Sequence, residues 1–170
     1  KVQQLRSLLV VMRTRIVDRA SAGQDALLAR ANAAIAEADG TGDLQVKCEA
    51  LGLRALELAF ATRSRDAGDR NANIAKAYAA MREAGEAAEA AGNDRVRVMM
   101  VIGQLEMASD VPGYWSDIPD LVERAEIGVE HIQDPVALLL FDELRGVIAM
   151  NTGSWTDAIV RFDRTRQGWL

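Results

Sequence analysis

The sequence predicts an all-α protein of about eight helices, arranged as antiparallel helix pairs. Hydrophobic residues make up 49% of the 170 residues but aromatic residues only 5%, so the helices must pack closely through small side chains. Long stretches consist of Ala, Leu, Glu and Arg, which are strong helix formers. No run shows the alternation of Val, Ile, Thr and Tyr that predicts a strand. A fold of helix packed on helix follows.

Clusters of Gly, Pro, Asn and Asp divide the chain into segments of helical length. The predicted helices cover, in order, residues 2–20, 24–38, 44–64, 71–91, 94–109, 117–132, 135–150 and 154–169. The turns between most of them are short, so consecutive helices should be antiparallel. The chain is expected to form a single helical domain over residues 1–170, and to be a fragment of a longer protein.

Two helix starts carry their own capping signals. Asp134 precedes Pro135, and this places a capping carboxylate before a proline at the first helical position. Ser154 is followed three residues later by Asp157, which is the spacing of a capping box. Residues 110–119 contain two prolines and a glycine, and they predict a long irregular loop.

The last helix pair, Pro135 to Leu170, resembles a tetratricopeptide repeat. The positions that carry the resemblance are Gly146, Ala149, Gly153, Trp155, Ala158 and Phe162. Gly103 and Trp115 repeat part of this pattern in the preceding pair, and Gly52 repeats one position of an earlier pair. The resemblance implies helix pairs stacked as a right-handed superhelix. A plain helical bundle is the alternative.

Divergent repeats of this kind are also similar to the helical-repeat arms of bacterial regulators, including the LuxR/MalT type of transcriptional activator. This resemblance implies a regulatory or scaffolding role in signalling or transcription. In tetratricopeptide repeats the first helix of each pair lines a groove for a peptide or a partner helix. The Lys/Asn clamp that some members use for a terminal carboxylate is missing here.

The groove positions that the resemblance implies fall on three helices. They are Val46, Glu49, Leu53, Leu56 and Glu57; Met100, Gln104, Met107 and Ala108; and Leu140, Glu143, Val147, Met150 and Asn151. Such a groove would be rich in methionine, which adapts to irregular partners. The same residues could instead form the core between helices. Exposure of Met100, Met107 and Met150 would favour the groove, and burial would exclude it.

Little in the sequence predicts catalysis. His131 is the only histidine and Cys48 the only cysteine, so neither a histidine-based metal site nor a histidine-paired nucleophile can form within the chain. The turn at Gly40-Thr41-Gly42 lacks the lysine of a phosphate-binding loop. The carboxylates of Glu83 and Glu86 read as a solvent-exposed face. We therefore expect neither an enzyme nor a cofactor.

Charge and hydropathy limit the partners. A net charge of −5 argues against a nucleic-acid-binding face, and no apolar run approaches the roughly 18 residues of a membrane span. A lone cysteine predicts a reducing, cytoplasmic setting. The expected partner is a protein or peptide, another domain of the parent chain, or a second copy in a homodimer.

Two function classes stay open from the sequence. The first is a non-catalytic interaction or scaffold module. The second is a small-ligand sensor, which would need a pocket with convergent polar groups, for which Arg145, Glu143 and Asn151 are the candidates.

Overall fold

A computed structural model describes residues 24–62 and 70–168. Within these ranges the chain forms seven α-helices and one 3₁₀ helix, and no strand. The helices are α1 (Gln24–Thr41), α2 (Leu44–Ala61), α3 (Arg70–Ala91), α4 (Asp94–Asp110), the 3₁₀ helix (Pro112–Asp117), α5 (Ile118–Ile132), α6 (Pro135–Asn151) and α7 (Trp155–Gly168). The all-α prediction is confirmed. The predicted helix 2–20 lies outside the described residues.

The seven predicted helices that can be compared differ from the observed ones by at most three residues at either end, which is the normal uncertainty of helix ends. The loop predicted at 110–119 is more regular than expected, because Pro112–Asp117 forms a 3₁₀ helix. Proline at its start fixes one backbone angle, which favours a tight helical turn.

The chain divides into two compact units, and the boundary falls inside α4 after Met100. The first unit contains α1, α2, α3 and the first half of α4. The second contains the rest of α4, the 3₁₀ helix, α5, α6 and α7.

In the first unit, α2 packs against both α1 and α3. One face of α2 forms an apolar cluster with alanines of α1. The members of this cluster are Ala31, Ala34, Ala38, Val46, Ala50 and Leu53. The α1 residues are three and four positions apart and therefore lie on one side of the helix. Because their side chains are small, the two helices can approach closely.

Another face of α2 meets α4. A Cβ atom added to Gly52 would lie 3.4 Å from Val96 Cγ1 and 3.7 Å from Met100 Cε, so these two side chains rest on the glycine. Gly52, which the sequence singles out as a repeat-pattern position, therefore lies at a helix crossing, and the crossing helix is α4. A buried row on α3 completes this part of the core: Ile74, Ala77, Ala80, Met81, Ala84 and Ala88.

Three helix–turn–helix connections each contain a glycine with a positive φ angle. Gly42, Gly92 and Gly153 have φ angles of 69°, 66° and 81°, which L side chains rarely adopt. The residue after Gly92 donates from its backbone N–H to Ala88 O at 2.8 Å, and the residue after Gly153 donates to Ala149 O at 2.8 Å. This is the Schellman pattern that ends a helix. The hairpins α3–α4 and α6–α7 therefore turn in the same way, whereas in the α1–α2 turn Gly42 itself donates from its N–H to Ala38 O at 2.9 Å.

The first two of these hairpins repeat at an interval of 50 residues. Asp43 accepts a bond from Val46 N at 3.1 Å, and Asn93 accepts one from Val96 N at 3.1 Å, so the two helix starts are capped alike. Buried positions recur at the same interval: Val46 and Val96, Cys48 and Val98, Ala50 and Met100, Leu51 and Val101, Ala55 and Leu105.

A side chain links the two turns of these hairpins. Gln45, at the start of α2, donates from Nε2 to the carbonyl oxygen of Ala91 and accepts a bond of 3.0 Å from Asn93 Nδ2. Both partners belong to the α3–α4 turn. The bonds hold the start of α2 against the turn of the following hairpin.

In the second unit, α6 packs against both α5 and α7. The predicted cap is confirmed, because Asp134 Oδ1 accepts from Val136 N at 2.9 Å and from Ala137 N at 3.4 Å. Asp157, predicted to belong to a capping box, accepts bonds of 3.1 Å from Arg161 Nε.

The contact between α6 and α7 depends on a glycine. A Cβ atom on Gly146 would lie 2.8 Å from Phe162 Cε1, which is closer than real Cβ contacts allow. Arg161 also reaches across from α7 and donates to Asp142 at 3.1 Å. Gly146 and Phe162, two of the positions that carry the tetratricopeptide resemblance, therefore lie in direct contact.

Candidate partner-binding surface

The single cysteine and the single histidine of the sequence belong to different compact units of the chain. Cys48 is fully buried, and its Sγ lies 3.2 Å from the carbonyl oxygen of Gln45. His131 is exposed in the last turn of α5, where a cationic ring suits the helix dipole. Over residues 24–62 and 70–168, His, Cys, Asp and Glu side chains form no group of three that could hold a metal ion.

The predicted groove residues of α2 belong mainly to the core. Leu53 and Glu57 are buried, and Leu56 is half-buried. Leu53 belongs to the apolar cluster that α2 forms with α1. On α2, the groove pattern therefore coincides with a helix–helix contact.

The predicted groove residues of α4 are also buried. Met100 and Met107 are 2% and 1% exposed, and Gln104 is 6% exposed. Met100 packs on Gly52, and its Cβ lies 3.8 Å from where a Cβ on Gly85 would be. The prediction of a methionine-rich groove is wrong for these side chains, because they fill space that glycines leave between helices.

The predicted positions on α6 behave differently. Glu143, Met150 and Asn151 are exposed, and Leu140 and Val147 are half-buried. Val136, which is exposed, continues the row toward the start of the helix. Spacings of three and four residues place Val136, Leu140, Glu143, Val147 and Met150 on one side of α6. We call these five residues the α6 face.

The α6 face is separate from the two sides of α6 that are already in contact with helices. Asp142 and Gly146 meet α7 through Arg161 and Phe162. Arg145 turns toward α5, where it donates to Glu126 at 3.0 Å. The α6 face is the remaining side, and it is apolar except for Glu143.

A cleft of about 240 Å³ opens beside the end of α6. Its lining residues come from the end of α4, the 3₁₀ helix, the start of α5 and the end of α6. They are Ser109, Trp115, Ile118, Pro119, Ile148, Asn151 and Thr152, and we call this site the Trp115 cleft. Asn151 follows Met150 directly, so the cleft lies beside the same end of α6 as Met150, while Ile148 and Thr152 line it from a different side of the helix than the α6 face.

Most polar groups in the cleft are already bonded to their own helices. Thr152 Oγ1 donates to a backbone carbonyl, either Ile148 O at 3.0 Å or Ala149 O at 3.1 Å. Ser109 Oγ donates to Glu106 O at 2.8 Å. The exposed amide of Asn151 is therefore the group best placed to bind a ligand.

The sequence predicted a polar pocket around Arg145, Glu143 and Asn151. Arg145 bonds to Glu126 and lies 5.7 Å from the centre of the Phe141 ring. Of the three residues, Asn151 lines the Trp115 cleft. The three side chains do not converge on one pocket.

Comparison with known families, curated proteins and solved structures found no match. No helix among the described residues is long and apolar enough to cross a membrane.

Sequence reasoning missed most of the cleft. The sequence places Trp115 in the predicted loop and in the repeat pattern but not in a binding site, whereas it lies in the 3₁₀ helix and is 57% exposed. Ile118, Pro119 and Ile148 were not singled out. The sequence signal that could have revealed the cleft is the aromatic pair Tyr114–Trp115, which lies between Pro112 and Pro119. Two prolines restrict the backbone and can hold an aromatic side chain outward.

Proposed function

We propose that this chain is a non-catalytic, tetratricopeptide-like interaction module that binds a segment of a partner protein along the α6 face. One observation carries the proposal: α6 is packed on two sides, and its third side carries four apolar side chains, of which two are exposed and two are half-buried. Met150 is 38% exposed and Val136 is 42% exposed. Contiguous apolar surface on a soluble protein often marks an interaction site.

Repetition of the hairpin supports the repeat-like part of the proposal. The α1–α2 and α3–α4 hairpins share a positive-φ glycine, their capping and their buried positions, and α6–α7 shares the hydrogen-bonded turn of α3–α4. Hairpins of this kind stack through contacts with their neighbours, and the stack leaves one side of the first helices available. The parent protein in this proposal is a cytoplasmic bacterial regulator of signalling or transcription, and the partner is a protein segment, another part of the parent chain or a second copy.

The test is selection of binding peptides from a phage library of random 12-residue sequences. Selected peptides should bind the wild-type protein with micromolar affinity. Met150→Glu introduces a charge into the centre of the contact and should weaken binding by about tenfold or more, since interface hot spots are worth about 1.4 kcal/mol or more. Isothermal titration calorimetry measures the change.

The matched control is Ile127→Glu. Ile127 is an exposed aliphatic residue on α5 that lies outside both the α6 face and the Trp115 cleft. This variant should keep wild-type affinity and wild-type helicity by circular dichroism. Equal losses in the two variants, or selected peptides that ignore Met150→Glu, would remove the α6 face from the proposal.

A small-ligand sensor is the second candidate, and the Trp115 cleft is the observation that favours it. An apolar cleft with one available amide can hold a small neutral molecule. A thermal-shift screen of neutral aromatic metabolites tests this function, because a ligand that binds the folded state raises the midpoint of unfolding. A hit that Trp115→Ala abolishes supports the sensor, and a screen without hits counts against it.

A further inference from the structure

We propose that the Trp115 cleft anchors one aromatic side chain of a partner segment, and that cationic residues flank this side chain. The inference rests on the proposed function, because it names the residue of the partner segment that the cleft beside the end of α6 would hold. Four properties of the cleft support the inference: its size, the chemistry of its walls, its polar groups and the charge around it.

The size of the cleft fits a single aromatic side chain. An engineered cavity of about 150 Å³ in another protein is large enough for benzene. The Trp115 cleft, at about 240 Å³, therefore has room for the ring of Phe, Tyr or Trp. It is smaller than the roughly 300–1,000 Å³ of sites for drug-sized ligands.

The walls are suited to a ring. Trp115 offers an indole that is more than half exposed, and Ile118, Pro119 and Ile148 supply flat or branched apolar surface. Aromatic pairs gain about 0.5–1.5 kcal/mol beyond the burial of their area. A ring in this cleft would cover Trp115, whose apolar surface is otherwise in contact with water.

The polar groups fit a peptide better than a charged ligand. None of the seven lining residues is charged, so a charged group inside the cleft would lose its hydration without gaining a partner. Asn151 carries both a donor and an acceptor on its amide. A peptide group next to the anchored side chain presents the complementary acceptor and donor.

The charge around the cleft favours cationic residues on either side of the partner's aromatic residue. Residues 98–123 include five carboxylates and no Lys, Arg or His. Two of them, Asp117 and Asp120, adjoin the cleft residues Ile118 and Pro119 in sequence, and Arg124 pairs with Asp120 at 3.4 Å. The region is therefore net acidic, and complementary charge steers a cationic segment toward it.

Nuclear magnetic resonance with short peptides tests the inference. The probe is acetyl-Lys-Phe-Lys-amide, and the comparison peptides replace Phe by Ala or both Lys residues by Glu. With the first peptide we expect the Trp115 indole N–H and the Asn151 side-chain amide signals to shift. The Ala peptide should bind at least about fivefold more weakly, because it lacks the ring, and the Glu peptide should also bind more weakly, with the difference shrinking at high salt.

Two matched tryptophan variants provide the control. Trp115 and Trp155 are exposed to similar extents, 57% and 63%, so Trp115→Ala and Trp155→Ala should both fold. Trp115→Ala should abolish the shift at Asn151, and Trp155→Ala should leave it unchanged. Equal binding of the Phe and Ala peptides, equal effects of the two variants, or a preference for the Glu peptide would overturn the inference.

Two further outcomes separate this inference from the proposed function. Tight binding of free acetyl-phenylalaninamide with no gain from flanking Lys residues would assign the cleft to a small aromatic ligand and overturn the peptide anchor. If library-selected peptides lose affinity with Met150→Glu but not with Trp115→Ala, the α6 face stands as a binding surface and the anchor in the cleft fails.

Discussion

At the scale of single residues, two glycines in corresponding positions have different tasks. Gly85 and Gly146 each stand seven residues before the glycine that ends their helix, Gly92 and Gly153. At Gly146 an added Cβ would collide with the ring of Phe162, whereas at Gly85 it would meet Met100 Cβ at 3.8 Å. The two glycines hold the same position in their hairpins. Only Gly146 lies in a contact that is too close to admit a side chain.

This difference predicts the stability of two alanine variants. Gly146→Ala should lower the free energy of unfolding by about 1–3 kcal/mol, the range found when extra carbon atoms are forced into a packed interior. Gly85→Ala should be neutral or stabilising by up to about 1 kcal/mol, because alanine favours the helix. Urea unfolding followed by circular dichroism measures both. A Gly146→Ala variant as stable as the wild type would show that α6 and α7 are not in close contact.

At the scale of elements, capping and turn residues hold the hairpins in register. Asp43 and Asn93 each cap a helix in the same way, but Asn93 also donates to Gln45. The second bond connects the turn of one hairpin to the helix of the previous one. Register between the hairpins therefore depends on a side chain that belongs to a turn.

A double-mutant cycle tests this link. Asn93→Ala should lower the free energy of unfolding by about 1 kcal/mol through loss of the cap. It should lose roughly a further 0.5–1.5 kcal/mol through loss of the bond to Gln45. In combination with Gln45→Ala the losses should be less than additive, by about the value of that bond. Asp134→Ala, which removes a cap in the second unit, should be additive with Gln45→Ala. Additive losses for Asn93 and Gln45 would contradict the link.

Helices and their ends could be predicted because their signals are local. The Asp134 cap, the glycine turns and the contact of Gly146 with Phe162 follow from residues that lie close in sequence. The 50-residue interval was harder to recognise, because its positions share burial and not residue type: Ala50 corresponds to Met100, and Ala55 to Leu105. Alanine-rich helices can satisfy a repeat pattern in several registers.

Groove and core could not be separated from the sequence for a physical reason. An apolar row on a helix is the same whether it faces a partner or a neighbouring helix. Met107 and Met150 are indistinguishable in the sequence, yet they are 1% and 38% exposed. The difference arises from which sides of each helix its neighbours occupy, and this is decided by tertiary packing.

At the scale of the whole molecule, the helices differ in how far their apolar rows are buried. Helices α1, α2 and α3 bury their apolar rows within the first unit. In the second unit, α6 contacts α5 and α7 and still presents the α6 face, with the Trp115 cleft at its end. The central claim is that a partner segment contacts α6 and makes no contact with the buried side chains of Met100 and Met107.

Methyl-resolved magnetic resonance tests the central claim most directly. The protein is labelled on the methyl groups of Ile, Leu, Val and Met and titrated with a library-selected peptide. The account predicts that signals of Leu140, Val147, Ile148 and Met150 shift, because these side chains line the α6 face and the cleft. Signals of Met100 and Met107 should stay in place. Shifts at Met100 and Met107 without a shift at Met150 would contradict it.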